Sequence, residues 1–148
     1  MYKINYFRYG NKRIGKILIM KVWVNGTFDV LHIGHIRLML YAASLGELRV
    51  GIDTDDRVRE KKGIGRPFNS LADRMEFVSA ISGVGSVVSF GSDSELIERI
   101  KEWGPDVMVI GDDYNYEQII GREYIPKIEF FKKVDGISTT KILDNGKV

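Results

Sequence analysis

The sequence predicts an α/β domain built on a doubly wound sheet of about five parallel strands, preceded by an amino-terminal extension. Three observations predict it. Short apolar runs alternate with stretches of helical spacing from Lys21 onward, the order expected of β-α-β units. The run "DVMVI" (106–110) is almost continuously apolar, as a parallel strand buried on both faces requires. The strand at Lys21–Val24 runs straight into Asn25-Gly26, a strand-to-helix turn of the kind that forms ligand crevices at the carboxyl ends of such sheets.

The elements follow in order. β-Branched and aromatic residues surround Gly10-Asn11, which reads as a hairpin; residues 1–19 form an extension and the domain proper spans 20–148. Ile36–Ser44 has helical spacing through Ile36, Leu40 and Ala43 and stops at Gly46. "ELRVGID" is a strand ending at Asp53. "SLADRMEFVSAI" is an amphipathic helix with Ser70 as N-cap. "GSVVSF" is a strand, and "SDSELIERIKEW" a helix closed by Gly104-Pro105. "KIEFF" is a last strand and "STTKIL" opens a short final helix. No internal repeat or linker interrupts them, so one domain is expected.

Composition narrows the function classes. The chain has 148 residues, 44% hydrophobic and 28% charged, which is ordinary for a soluble globular domain. No apolar run approaches the roughly 18 residues of a membrane span. Cysteine is absent, which excludes disulfides, thiolate metal sites and cysteine nucleophiles and suits a reducing cytoplasm. Residues 1–28 hold six bases and no acid, so the net charge of +2 covers a body of 16 basic and 20 acidic residues. That acidic body argues against a general nucleic-acid surface. The basic start lacks the apolar core of a signal peptide.

Both histidines of the chain lie in "NGTFDVLHIGH" (25–35). Gly26 lets backbone approach a ligand, and Gly34 stands where a helix begins; free N–H groups and the helix dipole there favour phosphate. His32 and His35, spaced i and i+3, share one face of that turn and are able to donate to one phosphate group. Two alternatives stay open on the residues alone: an accidental pair of histidines, or a metal pair with Asp29 as third ligand.

Gly26-Thr27-Phe28-Asp29 followed by His32-Ile33-Gly34-His35 resembles the signature of the cytidylyltransferase-like nucleotidyltransferases, a Rossmann-like family. "HIGH" also resembles class I aminoacyl-tRNA synthetases, but the 148 residues hold nothing for tRNA. "KKGIGRPFNSLADRMEFV" is similar to the lysine loop and arginine-bearing helix of heptose 1-phosphate adenylyltransferases. "PDVMVIGDDY" and "DGISTTKI" resemble segments shared with the glycerol-3-phosphate cytidylyltransferases. The four motifs run in family order from about Lys21 to Leu143.

The resemblance implies in-line attack of a substrate phosphate on the α-phosphorus of a nucleoside triphosphate, with loss of pyrophosphate and no covalent intermediate. It implies that His32, His35, Lys61 and Arg74 are catalytic, with the two histidines holding the triphosphate. Lys61 and Lys62 would close over phosphates from a loop after the second strand. On the bare pattern Arg74 points away from the core, since Leu71, Met75 and Val78 form the apolar face; the family makes it a phosphate ligand. Gly26, Thr27, Phe28, Asp29, Gly34, Gly111, Asp112, Asp113, Ser138, Thr139 and Thr140 are expected to bind nucleotide. Lys62, Arg66 and Lys133 are expected at the substrate phosphate. Mg²⁺ is implied by the triphosphate, held mostly by phosphate oxygens and water, with Asp29 either a ligand to it or a brace of the turn.

The base is less defined. "RPFNSLADRM" and the "DG" before the hydroxyl cluster lean to the heptose enzymes and ATP, while "GDDY" is closer to the cytidylyltransferases and CTP. "KVDGIS" stands where the latter carry "RTEGIS", so Lys133 replaces an arginine. Archaeal-type FAD synthetases share some motifs, and a nucleotide-binding module without catalysis is the alternative of another class. The expected partners are an NTP and a small phosphorylated sugar or polyol, with neither nucleic acid nor membrane. A cytoplasmic homodimer is the expected form.

Overall fold

The computed structural model describes residues 4–9, 12–132, 135–136 and 138–146, with side chains from residue 19 onward. Ile4–Tyr9 (β1) and Lys12–Leu18 (β2) pair antiparallel as the expected hairpin, Tyr9 opposite Lys12 and Ile4 opposite Leu18. This two-stranded sheet is separate from the main one.

The main sheet is built from Lys21–Gly26 (β3), Glu47–Asp53 (β4), Val84–Phe90 (β5), Val107–Gly111 (β6) and Lys127–Phe131 (β7). All four pairings are parallel, in the order β5-β4-β3-β6-β7. The chain winds outward from β3 to β5, then returns to lay β6 on the other side of β3. That reversal makes the carboxyl ends of β3 and β6 the switch point, where a crevice opens.

Alternation along the strands divides the core. Val22, Val24, Val107 and Val109 enter one cluster with Met39 and Ala42 of Ile33–Leu45 (α1) and Val78 of Leu71–Ser79 (α3). Trp23 and Met108, one residue out of phase, face the other side and pack on Leu96 and Ile100 of Asp93–Trp103 (α4). Burying a side chain such as Trp23 or Met108 contributes about 2–3 kcal/mol.

Hydroxyl caps set where helices start. Ser70 Oγ accepts from Asp73 N (3.2 Å) and Ser92 Oγ from Glu95 N (3.1 Å), each worth about 1 kcal/mol. Gly104, at φ +60°, closes α4 in the left-handed conformation that glycine adopts without strain. Thr139–Asn145 (α5) is the expected last helix, capped by Ser138.

Two expectations are corrected. The first helix begins at Ile33 rather than Ile36, so the signature turn runs directly into it. The segment carrying Lys61 and Lys62 is not a loop but a helix, Asp55–Lys62 (α2), capped by Thr54 and ending at Gly63. Among the described residues, no helix is long and apolar enough to cross a membrane.

Candidate active site

A cavity of about 480 Å³ opens at the carboxyl ends of β3, β4 and β6. The signature turn forms its floor. His32 is the N-cap of α1, its Nδ1 accepting from Gly34 N at 3.1 Å, while His35 Nδ1 accepts the His32 N–H at 3.2 Å. The rings stack at 3.8 Å between centroids, inclined by 23°. With each Nδ1 serving as an acceptor, a neutral imidazole carries its proton on Nε2. Both rings line the cavity.

The turn is held from behind. Phe28, at φ +51° and buried, sets its ring edge-on to His35 at 5.4 Å. A Cβ on Gly26 would lie 3.1 Å from that ring, so the close approach explains the glycine. A bulky residue held at positive φ stores strain that the surrounding packing must offset.

Arg74 is fully buried and does not line the cavity, correcting both its outward placement and its role as a phosphate ligand. Its guanidinium donates to Thr27 O (2.9 Å), Asp53 O (2.8 Å), Asn69 O (3.1 Å) and Asp55 Oδ1 (2.7 Å). Three backbone carbonyls converge there, so the site selects a buried cation with several donors. Arg74 ties the signature turn to the end of β4 and to the start of α3.

Asp29 is 1% exposed, and its carboxylate accepts from Phe68 N (2.5 Å), Asn69 N (2.9 Å) and Asn69 Nδ2 (3.0 Å). Arg66 donates to Asp29 O at 3.0 Å and pairs with the carboxylate at 3.7 Å. Both oxygens accept hydrogen bonds from the 66–69 segment, so Asp29 braces the turn. Among the described residues, no cluster of three or more His, Cys, Asp or Glu side chains has metal-binding geometry.

Lys61 and Lys62, in the last turn of α2, line the cavity with Arg66. Burial of its ammonium, then the charge of Arg66, holds Lys62 below the usual lysine range. Gly26, Thr27, Gly34, Gly111 and Asp113 also line it, whereas Asp112 does not; its N–H instead donates to Phe131 O, extending the β6–β7 pairing. The hydroxyl cluster divides its work. Ser138 Oγ caps α5, Thr139 Oγ1 donates to Val30 O at 2.9 Å, and Thr140 lines the cavity beside them. Lys133 lies outside the described residues.

The sequence reading missed one side of the cavity: Asn25, Asp53, Arg57, Phe90, Leu96, Tyr114, Gln118 and Ile119. Arg57 binds Asp53 Oδ1 (2.7 Å) and Asp93 Oδ1 (2.6 Å). Burial opposes its charge, but the bonds to Asp93 and Asp53 outweigh that and raise its pKa. Thr54 as a cap, with Asp55-Asp56 after it and Lys61-Lys62 at the far end, was the available signal for this helix.

The chain is similar to known proteins over most of its length. The family model for "Cytidylyltransferase-like" matches residues 23–145. The bifunctional protein HldE of Campylobacter fetus is 39% identical over 136 residues, covering 91% of this chain and 29% of that protein. Its counterpart in Helicobacter hepaticus is 39% identical over 125 residues, 84% of this chain and 26% of its own. The chain thus spans less than a third of the length of these curated relatives. A lipopolysaccharide core biosynthesis protein from Thermoplasma volcanium superimposes with a TM-score of 0.67 at 26% identity, over 79% of this chain and 99% of that one. Pantothenate synthetase from Thermus thermophilus, at 12% identity and a TM-score of 0.58 over 83% and 61% of the two chains, shares the fold. The chain belongs to the cytidylyltransferase-like nucleotidyltransferase family.

Proposed function

We propose that the chain transfers a nucleoside monophosphate from an NTP to a phosphorylated sugar, releasing pyrophosphate, as a heptose 1-phosphate adenylyltransferase does. The observation that carries this is the stacked pair His32–His35 on the cavity wall, each Nδ1 accepting from a backbone N–H so that the neutral rings carry their protons on Nε2. A phosphate oxygen of the acceptor attacks the α-phosphorus while the bond to the leaving pyrophosphate breaks. The histidines donate to the oxygens on which charge grows. Preorganised donors of this sort are worth about 3–4 kcal/mol each. Lys61, Lys62 and Arg66 neutralise the phosphates, and Thr140 with the turn at Gly111 and Asp113 borders the nucleotide. No covalent intermediate is needed, in keeping with a cavity that holds no cysteine.

Mg²⁺ enters with the triphosphate in this reading, held mostly by phosphate oxygens and water, while both Asp29 oxygens accept hydrogen bonds from the protein. Residues 20–148 act as the catalytic domain and 1–19 as an appendage. The enzyme works in the cytoplasm as a homodimer, which sedimentation at micromolar concentration tests. "GDDY" supports CTP with glycerol 3-phosphate as the second reading, since Gly111, Asp113 and Tyr114 border the cavity.

Pyrophosphate release from each NTP with heptose 1-phosphate and glycerol 3-phosphate separates the readings. ATP with heptose 1-phosphate is the expected pair. Tight NTP binding without turnover on any acceptor sinks the enzyme reading in favour of a binding module.

A further inference from the structure

Arg57 is a cation of the cavity that stands apart from the lysines. It is 6% exposed, yet it lines the cavity next to Phe90, Leu96 and Ile119. Two edges of its guanidinium are fixed: Nε on Asp53 Oδ1 at 2.7 Å and Nη2 on Asp93 Oδ1 at 2.6 Å. Its plane is supported by Phe90, with Cζ 5.3 Å from the ring centroid. Nη1 makes no hydrogen bond to the described residues. A guanidinium braced on two edges presents its remaining N–H donors in a fixed direction.

Charge decides what such a donor takes. One guanidinium beside two carboxylates is a unit of net −1, which repels a phosphate. A neutral hydroxyl suits it, because it accepts from the guanidinium and donates to a carboxylate oxygen. Phe90 and Leu96 then offer apolar surface to a carbon skeleton. Phosphate belongs further along the same helix, where Lys61 and Lys62 meet Arg66. Arg57 and Lys61 are i and i+4 on α2, about 6 Å apart along its axis. That is the spacing between a phosphate and a hydroxyl of one small phosphorylated polyol or sugar.

We propose that Arg57 is a specificity-determining residue: its guanidinium, held by Asp53 and Asp93, reads a neutral hydroxyl of the acceptor whose phosphate sits against Lys61 and Lys62. The assignment rests on the nucleotidyltransferase reading and gives its acceptor a definite chemistry, a hydroxylated carbon skeleton and not a second anion.

Steady-state pyrophosphate release with ATP, and separately with CTP, against heptose 1-phosphate or glycerol 3-phosphate provides the test. Arg57→Lys keeps the charge but loses the fork, and raises the KM for the better acceptor about tenfold, the worth of one charged hydrogen bond. The KM for the nucleotide stays within about twofold. An unchanged acceptor KM, or an equal rise for nucleotide, overturns the assignment. Asp93→Asn, at a side chain 62% exposed, separates hydroxyl from anion. If a hydroxyl is read, this change leaves the acceptor KM equal or higher. If it lowers the acceptor KM, and inorganic phosphate becomes a stronger competitor, Arg57 grips phosphate and the proposal is wrong. Should the wild type turn over no pair, the nucleotidyltransferase reading fails by itself. Calorimetry with the same two polyol phosphates then decides on Arg57: binding weakened about tenfold by Arg57→Lys supports it. Binding of neither, or equal binding to both proteins, overturns it.

Discussion

Replacing His35 by alanine removes one cavity donor and one acceptor for the His32 N–H. The lost backbone bond costs about 1 kcal/mol of stability. The lost donor costs roughly 10²–10³ in kcat. Turnover is therefore expected to collapse while the melting temperature moves by only a few degrees, as single-turnover assays and calorimetric scans would show. A variant that unfolds but stays active when folded would return His35 to a core role. Arg74 predicts the opposite balance. Arg74→Met strands three buried carbonyls and Asp55, at about 3–5 kcal/mol. The melting temperature should fall by roughly 10 °C or more, and activity should be lost with the fold. Normal stability with selectively weakened phosphate binding would restore Arg74 as a ligand. Its position was legible in the sequence, but its burial was not: helical spacing reports which apolar residues align, not where distant carbonyls converge. Asp29 is the same case, because its partners come from residues 66–69, and no local pattern links them.

At the scale of elements, α2 shows why part of the site went unread. Every residue of Asp55–Lys62 except Val58 is charged, so no apolar period marks a helix. The strongly patterned elements, β6 with its continuous apolar run and α4 with its serine cap and closing glycine, were legible from sequence. The helix nevertheless sets the chemistry by placing Lys61 and Lys62 over the cavity. Lys62 titrates below the ordinary lysine value because burial and Arg66 disfavour its charge. Between that depressed value and the ordinary one, the free protein has Lys62 partly neutral. An acceptor phosphate there restores the charge, so binding of the phosphorylated acceptor is expected to take up a proton at pH values between the two. Titration calorimetry in buffers of different ionisation enthalpy should show net uptake in the wild type and none with Lys62→Met. Proton release, or the same uptake in both proteins, would remove Lys62 from the phosphate site.

For the whole molecule, the question is how much of the chain the catalytic body needs. Among the described residues the hairpin pairs with itself and shares no ladder with the five-stranded sheet. The boundary is narrower than the notion of an appendage implies. Glu47 N donates to Met20 O at 2.8 Å, and a Cβ on Gly46 would sit 2.1 Å from that oxygen, so the α1–β4 turn is folded onto Met20. Lys21 next anchors the start of β3: its N–H donates to Asp106 Oδ2 at 2.7 Å and its ammonium to Trp103 O at 3.0 Å. A chain cut before Met20 is therefore expected to fold, to melt within about 3 °C of the full chain, and to keep its kcat. A cut before Val22 removes both anchors at once. It should lose about 2–4 kcal/mol, the worth of two or three hydrogen bonds including a charged one. Thermal scans and pyrophosphate release on the two truncations decide the matter. If the cut before Met20 already abolishes folding or turnover, the hairpin is part of the working domain and the boundary is wrong.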